Sequence, residues 1–199
     1  MYSALPKGSA LRWSKIRDTS GNYVIPYIIT GSFDSEEHRI ILAAMKAIEK
    51  NTCIRFKKRT HQSSFIDLQN KYSEGCYSTV GHFPGRNVVM LEANEVATCI
   101  EYDIVLHELL HSVGLWHEHM RHDRDQYIKV HYEMIQPGMY SQFEKISTNL
   151  GSTYGIPYNY RSIMHYSKDA FAKWPGAVTM ETSDPKFQVF FLTNGKKKF

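Results

Sequence analysis

The chain is short of cysteine. Cys53, Cys76 and Cys99 are its only three, and no two of them form a CxxC pair. That excludes a cysteine-built metal ribbon and a CxxC redox couple, and leaves either one disulfide with one spare thiol or three reduced thiols. Long apolar runs are missing too, since none approaches the ~20 residues that cross a bilayer. Charge of one sign is scarce: 24 basic against 20 acidic residues leave a net +4. That excess is too small and scattered for a nucleic-acid surface. The basic run Lys196-Lys197-Lys198 reads as a solvated tail. There are no internal repeats, no low-complexity blocks and no Asn-x-Ser/Thr sequon. The opening stretch "MYSALPKGSALRW" lacks the apolar core of a signal peptide. What remains is an ordinary globular composition on a chain long enough for one domain or two small lobes.

The first half carries regular patterns. "YVIPYIIT" (Tyr23 to Thr30) is β-branched and aromatic and predicts a strand, with Pro26 pointing to an edge position or a bulge. The following "SFDSEEHRIILAAMKAIEKN" predicts an amphipathic helix. Asp34 and Glu37 have capping-box spacing, and Ile41, Ala44, Met45 and Ile48 share one face. "CIRFKK", "SFIDLQN" and Val88 to Leu91 are further strand candidates. From His117 to Arg161 the pattern changes to Tyr, Asn, Gly and charge with little periodicity, as in "IQPGMYS" and "NLGSTYGIPYNY". A lobe of that kind depends on specific contacts more than on regular elements. The order of elements predicts an α+β protein of two lobes, an upper one over about 13–117 and a lower one over about 118–188, with a cleft between them.

Between the halves stands "HELLHSVGLWH", residues 107 to 117. Four polar groups among leucines cost roughly 2–7 kcal/mol each if buried without partners, so something is expected to bind them. His107 and His111 are four apart and share one helix face, the spacing at which two imidazoles reach one ion. Glu108 lies about 100° around the helix, placed to reach a water on that ion. Gly114 can end the helix with a left-handed turn that brings His117 back as a third ligand. Three histidines on one zinc ion per chain leave a fourth position open for water, the form of a catalytic site and not of a closed structural one. Glu108 would take the water proton and return it to a leaving amine. HExxH alone is a weak signal, but the glycine and third histidine add two positions that zinc geometry itself demands.

HExxHxxGxxH is the metzincin signature, and "SIMHY" (Ser162 to Tyr166) resembles the methionine turn of that clan. Glu118 directly after His117, together with SxMHY, makes the chain similar to the astacin family of zinc endopeptidases. "VIPYIITG", "AIEKNTCIRF" and "GCYSTVG" resemble astacin segments in the same order. The similarity covers about residues 13–188.

The resemblance implies a metzincin-type fold: an upper lobe with a twisted sheet and two long helices, and a mostly irregular lower lobe. It implies His107, His111 and His117 as zinc ligands, Glu108 as general base and acid, and Met164 as packing under the metal. Tyr166 would be a fourth ligand at rest that swings away to stabilise the oxyanion. His119, His122 and His165 are read as surface groups or supports and not as ligands. Glu118 would contact the mature N-terminus, and the strand around Asn87 to Leu91 would form the upper rim where extended substrate pairs with a sheet edge.

Cys76 and Cys99 match a family disulfide, while the partner expected for Cys53 near the C-terminus is not in the sequence, so Cys53 is expected to be a free thiol. Residues 189–199 fit nothing in the family pattern. The expectation is a secreted endopeptidase acting on protein or peptide substrates, with no nucleic-acid or membrane partner and an oligomeric state the sequence leaves open. The rival expectation is a truncated, non-catalytic zinc-binding secreted protein that serves interactions only.

Overall fold

The structure, a computed structural model, describes residues 3–188. The backbone divides into two units, Gly8–Leu115 and a second made of Met1–Lys7 with Trp116–Phe199.

In the Gly8–Leu115 unit, strand β1 (Tyr23–Ile29) is followed by helix α1 (Ser35–Asn51), then β2 (Ile54–Lys58), β3 (Phe65–Gln69), β4 (Cys76–Ser78), β5 (Arg86–Leu91) and helix α2 (Tyr102–Val113). Helix α1 starts where its sequence predicts. Asp34 Oδ1 accepts the Glu37 N–H at 2.8 Å, and Glu37 Oε2 accepts the Asp34 N–H at 2.7 Å. Two orphan donors of the first turn are thereby satisfied. The buried face is Ile41, Ala44, Met45 and Ile48, each large side chain contributing roughly 1.5–3 kcal/mol by leaving water.

The five strands lie in the order β2-β1-β3-β5-β4. The first four of that order are parallel, and β4 alone runs antiparallel, pairing Cys76 with Leu91 and Ser78 with Val89. Parallel strands bury both faces, which is why β3 is buried along its whole length. Ile25, Ile66, Leu68, Val89 and Leu91 are sealed from solvent. This mixed sheet with its two helices gives the α+β class that the sequence predicts.

Two expectations about strands need correction. Pro26 lies in an interior strand, but its place there has a simple cause. It is paired only toward β2, opposite Lys57, because the β3 ladder begins one residue later at Tyr27. The missing N–H therefore breaks no bond to β3. The strand at Asn87 to Leu91 is not a rim either. β5 has β3 on one side and β4 on the other, so the sheet edge on that side is the three-residue β4.

A disulfide joins Cys76 at the start of β4 to Cys99, three residues before α2. Closing a loop of that size restricts the unfolded chain by about 3 kcal/mol. Cys53 is an exposed free thiol. The pairing that the resemblance implies is the one formed.

The second unit has few regular elements among the described residues. A pair of short antiparallel strands, β6 (Ile128–Val130) and β7 (Met180–Thr182), and several single 3-10 turns surround a core of Ile128, Ile135, Phe143, Tyr158, Tyr160, Tyr166 and Met180. The start of the chain is tied into this unit. Ala4 and Ser152 exchange both backbone hydrogen bonds, Trp116 N–H donates to the Ser3 carbonyl, and the Tyr154 hydroxyl donates to the Leu5 carbonyl. No helix among the described residues is long and apolar enough to cross a membrane.

Candidate metal centre

Helix α2 is held by packing more than by its ends, since Glu101 at its N-cap makes no side-chain cap bond. Val105 and Leu109 are fully buried on its core side. His107, Glu108, His111 and Ser112 are buried too, at 1%, 2%, 6% and 1% exposure. The His107 and His111 rings stand 4.7 Å apart and nearly perpendicular. His111 Nδ1 lies 2.7 Å from the Leu115 carbonyl. A carbonyl can only accept, so Nδ1 carries the proton and Nε2 keeps its lone pair for a metal.

The helix stops as predicted. Gly114 has φ 119°, and its N–H donates to the carbonyls of His111 and Leu110, while Leu115 N–H also returns to Leu110. This closure satisfies the last carbonyls and reverses the chain within three residues of His117. An L-residue is strained at that φ. Gly114→Ala is expected to lower the stability of the metal-free chain by about 1–3 kcal/mol. It is also expected to weaken zinc binding, read by competition with a coloured chelator. Unchanged zinc affinity would show that the turn does not set the third ligand.

His117 follows Trp116, where the chain passes into the second unit. Glu118 N–H donates to the Met164 carbonyl at 2.8 Å, which fastens this stretch to the Ser162–Tyr166 turn. Within the turn Met164 N–H donates to Ser162 Oγ, and Met164 is 1% exposed. The Tyr166 ring lies 4.5 Å from the His117 ring and 4.0 Å from that of His119, on which it stacks.

The fit to zinc rests on the donor set. One ring nitrogen from each of His107, His111 and His117 lies within 4.8 Å of the others, and this is the group of potential ligands that the described residues bring together. Three convergent imidazoles, one with its tautomer fixed by a carbonyl, match zinc's preference for nitrogen donors.

His119 and His165 lie outside that group, and both are buried; His122 is exposed. Tyr158, which burial keeps protonated, donates its hydroxyl to His165 Nε2 at 2.6 Å, and His165 Nδ1 donates to the Tyr166 carbonyl at 2.8 Å. Burial pushes His165 down to about 4, so it stays neutral at physiological pH. Burial, and then the nearby His165, push His119 well below the ordinary imidazole value. His119 Nε2 donates to the Gln142 carbonyl, and its buried Nδ1 has no hydrogen-bond partner among the described residues.

Three residues that brace helix α2, one of them in β4, were not foreseen. Ser78 Oγ lies 2.8 Å from Ser112 Oγ, Gly81 N–H donates to the His111 carbonyl, and Trp13 Nε1 donates to the Ser112 carbonyl. The separations, 34 and 99 residues for the two side-chain bonds, leave no local signal to read.

A mixed sheet leading into HExxHxxGxxH on α2, with three convergent histidines, defines a metzincin-type zinc protein. The astacin peptidase family model matches residues 13–196, eight residues past the limit of about 188 expected from the resemblance, and the chain belongs to that family. Zinc metalloproteinase nas-5 of Caenorhabditis elegans is 53% identical over 186 residues, 94% of this chain and 51% of the relative. High choriolytic enzyme 1 of Oryzias latipes is 38% identical over 82% of this chain and 57% of its own length. The solved structure of that hatching enzyme, a zinc protease, superposes with a TM-score of 0.81 at 34% identity, covering 92% of this chain and 87% of the other. The chain spans about half the length of the curated relatives it matches. Nothing in these matches favours the non-catalytic reading.

Proposed function

We propose that this chain is the catalytic domain of a zinc endopeptidase that hydrolyses internal peptide bonds of proteins. The observation that carries the proposal is the convergence of His107, His111 and His117 beside a buried Glu108 on the same helix. Zinc in that place supplies a Lewis acid that polarises a carbonyl and acidifies water.

The chain's own groups would do the rest. His107, His111 and His117 are the ligands, with Tyr166 a further ligand at rest. Glu108 takes a proton from the attacking water on a carboxylate oxygen and passes it to the nitrogen of the departing amine. The Tyr166 phenol donates a hydrogen bond to the oxygen on which negative charge develops. Its backbone is held by the Tyr158–His165 chain and its ring by the His119 stack, so the phenol is presented by a clamped support. Substrate would add as an extended strand along β4, whose one partner is β5. The ties of Ser78 in β4 to Ser112, and of Gly81 just after it to His111, support a fixed register between substrate and metal. The Cys76–Cys99 disulfide supports an extracellular, oxidising setting.

The test is peptide cleavage by the full 199-residue chain, folded with zinc under oxidising conditions. Turnover is expected to vanish with a chelator and return with added zinc. Tyr166→Phe should lower kcat by about 10²–10³-fold, the cost of one oxyanion donor, with zinc content unchanged. Chelator-insensitive turnover, or none in a chain that holds one zinc, would overturn the proposal.

A further inference from the structure

Away from the histidines, the Gly8–Leu115 unit holds a pocket of about 420 Å3, a size typical of small-ligand sites. It is built from three stretches far apart in sequence. Residues 12–16 precede β1, residues 61–64 lie between β2 and β3, and His82 lies between β4 and β5.

The charge of its lining is one-sided. Arg12, Lys15, His61 and His82 all face it, and no carboxylate does among the described residues. For a chain with 20 acidic residues against 24 basic ones, that segregation is not what a mixed surface gives. Ser63 and Ser64 add hydroxyl donors, and Trp13 supplies an apolar wall. His82 is 6% exposed, and burial followed by the Lys15 ammonium pushes it below the ordinary imidazole value. The pocket thus stands against further positive charge, and an anion in it would relieve that repulsion.

The walls are also fixed. Trp13 is pinned by its indole N–H to the Ser112 carbonyl at 2.8 Å and meets the His82 ring edge-on at 4.7 Å. His82 N–H donates to the Leu11 carbonyl at 2.6 Å. On the facing loop, Arg59 Nε donates to the Gln62 carbonyl and Gly85 N–H to Ser64 Oγ. A preformed site loses less on binding than one that must order itself.

We propose that this pocket is a second binding site, taking a sulfate or phosphate monoester carried on a small aromatic body. Its oxyanion is held by Arg12, Lys15 and His61, and its ring lies against Trp13. A tetrahedral monoester presents three terminal oxygens to several donors, more than a planar carboxylate can offer. The volume exceeds what a bare inorganic ion would fill, and the indole wall gives the remainder an apolar partner. The site is distinct from the histidine cluster, and its occupancy does not depend on peptide cleavage.

The experiment uses the full zinc-loaded 199-residue chain, with the Trp13 indole N–H followed by 1H–15N NMR. Phenyl sulfate, phenyl phosphate and neutral phenol are titrated separately into the millimolar range. Saturable Trp13 shifts are expected with at least one ester, and phenol should bind at least about tenfold more weakly. Arg12→Gln and Lys15→Gln should each weaken the ester by about tenfold while leaving the melting temperature and peptide turnover unchanged. Neither residue belongs to the metal centre, so this loss separates the pocket from phosphate bound at zinc. A stronger response to phenyl sulfate identifies a sulfated ligand, and the reverse a phosphorylated one. The proposal is overturned by three results: no saturable shift, phenol binding as tightly as the esters, or affinity indifferent to both glutamine variants.

Discussion

Glu108→Gln is expected to lower kcat for peptide hydrolysis by about 10²–10⁴-fold while the chain still binds one zinc ion. The two halves of that statement have separate causes. The substitution keeps the shape of a side chain that is 2% exposed, so α2 retains its packing and the His107 and His111 rings their perpendicular pairing. An amide, however, has no carboxylate oxygen on which to receive a proton. The general base and the later general acid disappear together. Zinc content measured beside kcat discriminates the roles. Loss of both would make Glu108 a structural support of the ligands, and turnover within tenfold of the parent would sink its assignment as the proton carrier.

The second large effect is on stability. Arg121→Ala is expected to cost about 3–5 kcal/mol, because it removes one partner of a buried ion pair. Arg121 and Glu118 are each 1% exposed and 3.1 Å apart. Arg121 also donates to both Asp123 oxygens, at 2.9 and 2.8 Å, and to the Ile156 carbonyl at 3.0 Å. Its side-chain bonds hold Asp123 below the usual carboxylate range. With the guanidinium gone, Glu118 keeps the Asn159 N–H at 2.9 Å but loses its buried cation. Urea denaturation measures the change. Arg121→Lys should recover only part of it, because an ammonium cannot reproduce the planar fork. A cost below about 1 kcal/mol for the alanine variant would mean that water reaches the pair and screens it.

Local chemistry explains which parts of the molecule could be read beforehand. Helix α1 is written in a capping box and a four-residue apolar face, and both are realised. The histidine set was legible for the same reason, since eleven consecutive residues contain His107, His111 and His117, Glu108 and the turn-forming glycine. Strand order was not legible. β4 is three residues long with one exposed tyrosine at its centre, and nothing in Cys-Tyr-Ser says that it, and not the longer Arg86–Leu91, takes the edge. Edge position is decided by non-local pairing, and a two-residue period carries no information about neighbours. The irregular unit hid its interior in the same way. "RHDRD" looks like a solvated charge run, yet Arg121 and Arg124 are 1% and 3% exposed, their donors taken by neighbouring carboxylates and by the distant carbonyls of Ile156 and Phe143. Likewise His119 and His165 look like surface residues until the rings around them are known.

The exchange of hydrogen bonds between Ala4 and Ser152 sets a timetable for the newborn chain. Everything that Gly8–Leu115 needs for its sheet has left the ribosome before Ala4 and Leu5 have met their partners. The Tyr154–Leu5 bond spans 149 residues of sequence. At translation rates of about 5–20 residues per second, residues 3–7 wait roughly 7–30 s for that counterpart. During that interval residues 3–7 lack these partners and are open to proteases and chaperones. Their docking awaits Ser152 and Tyr154, which leave the ribosome after the residues of α2.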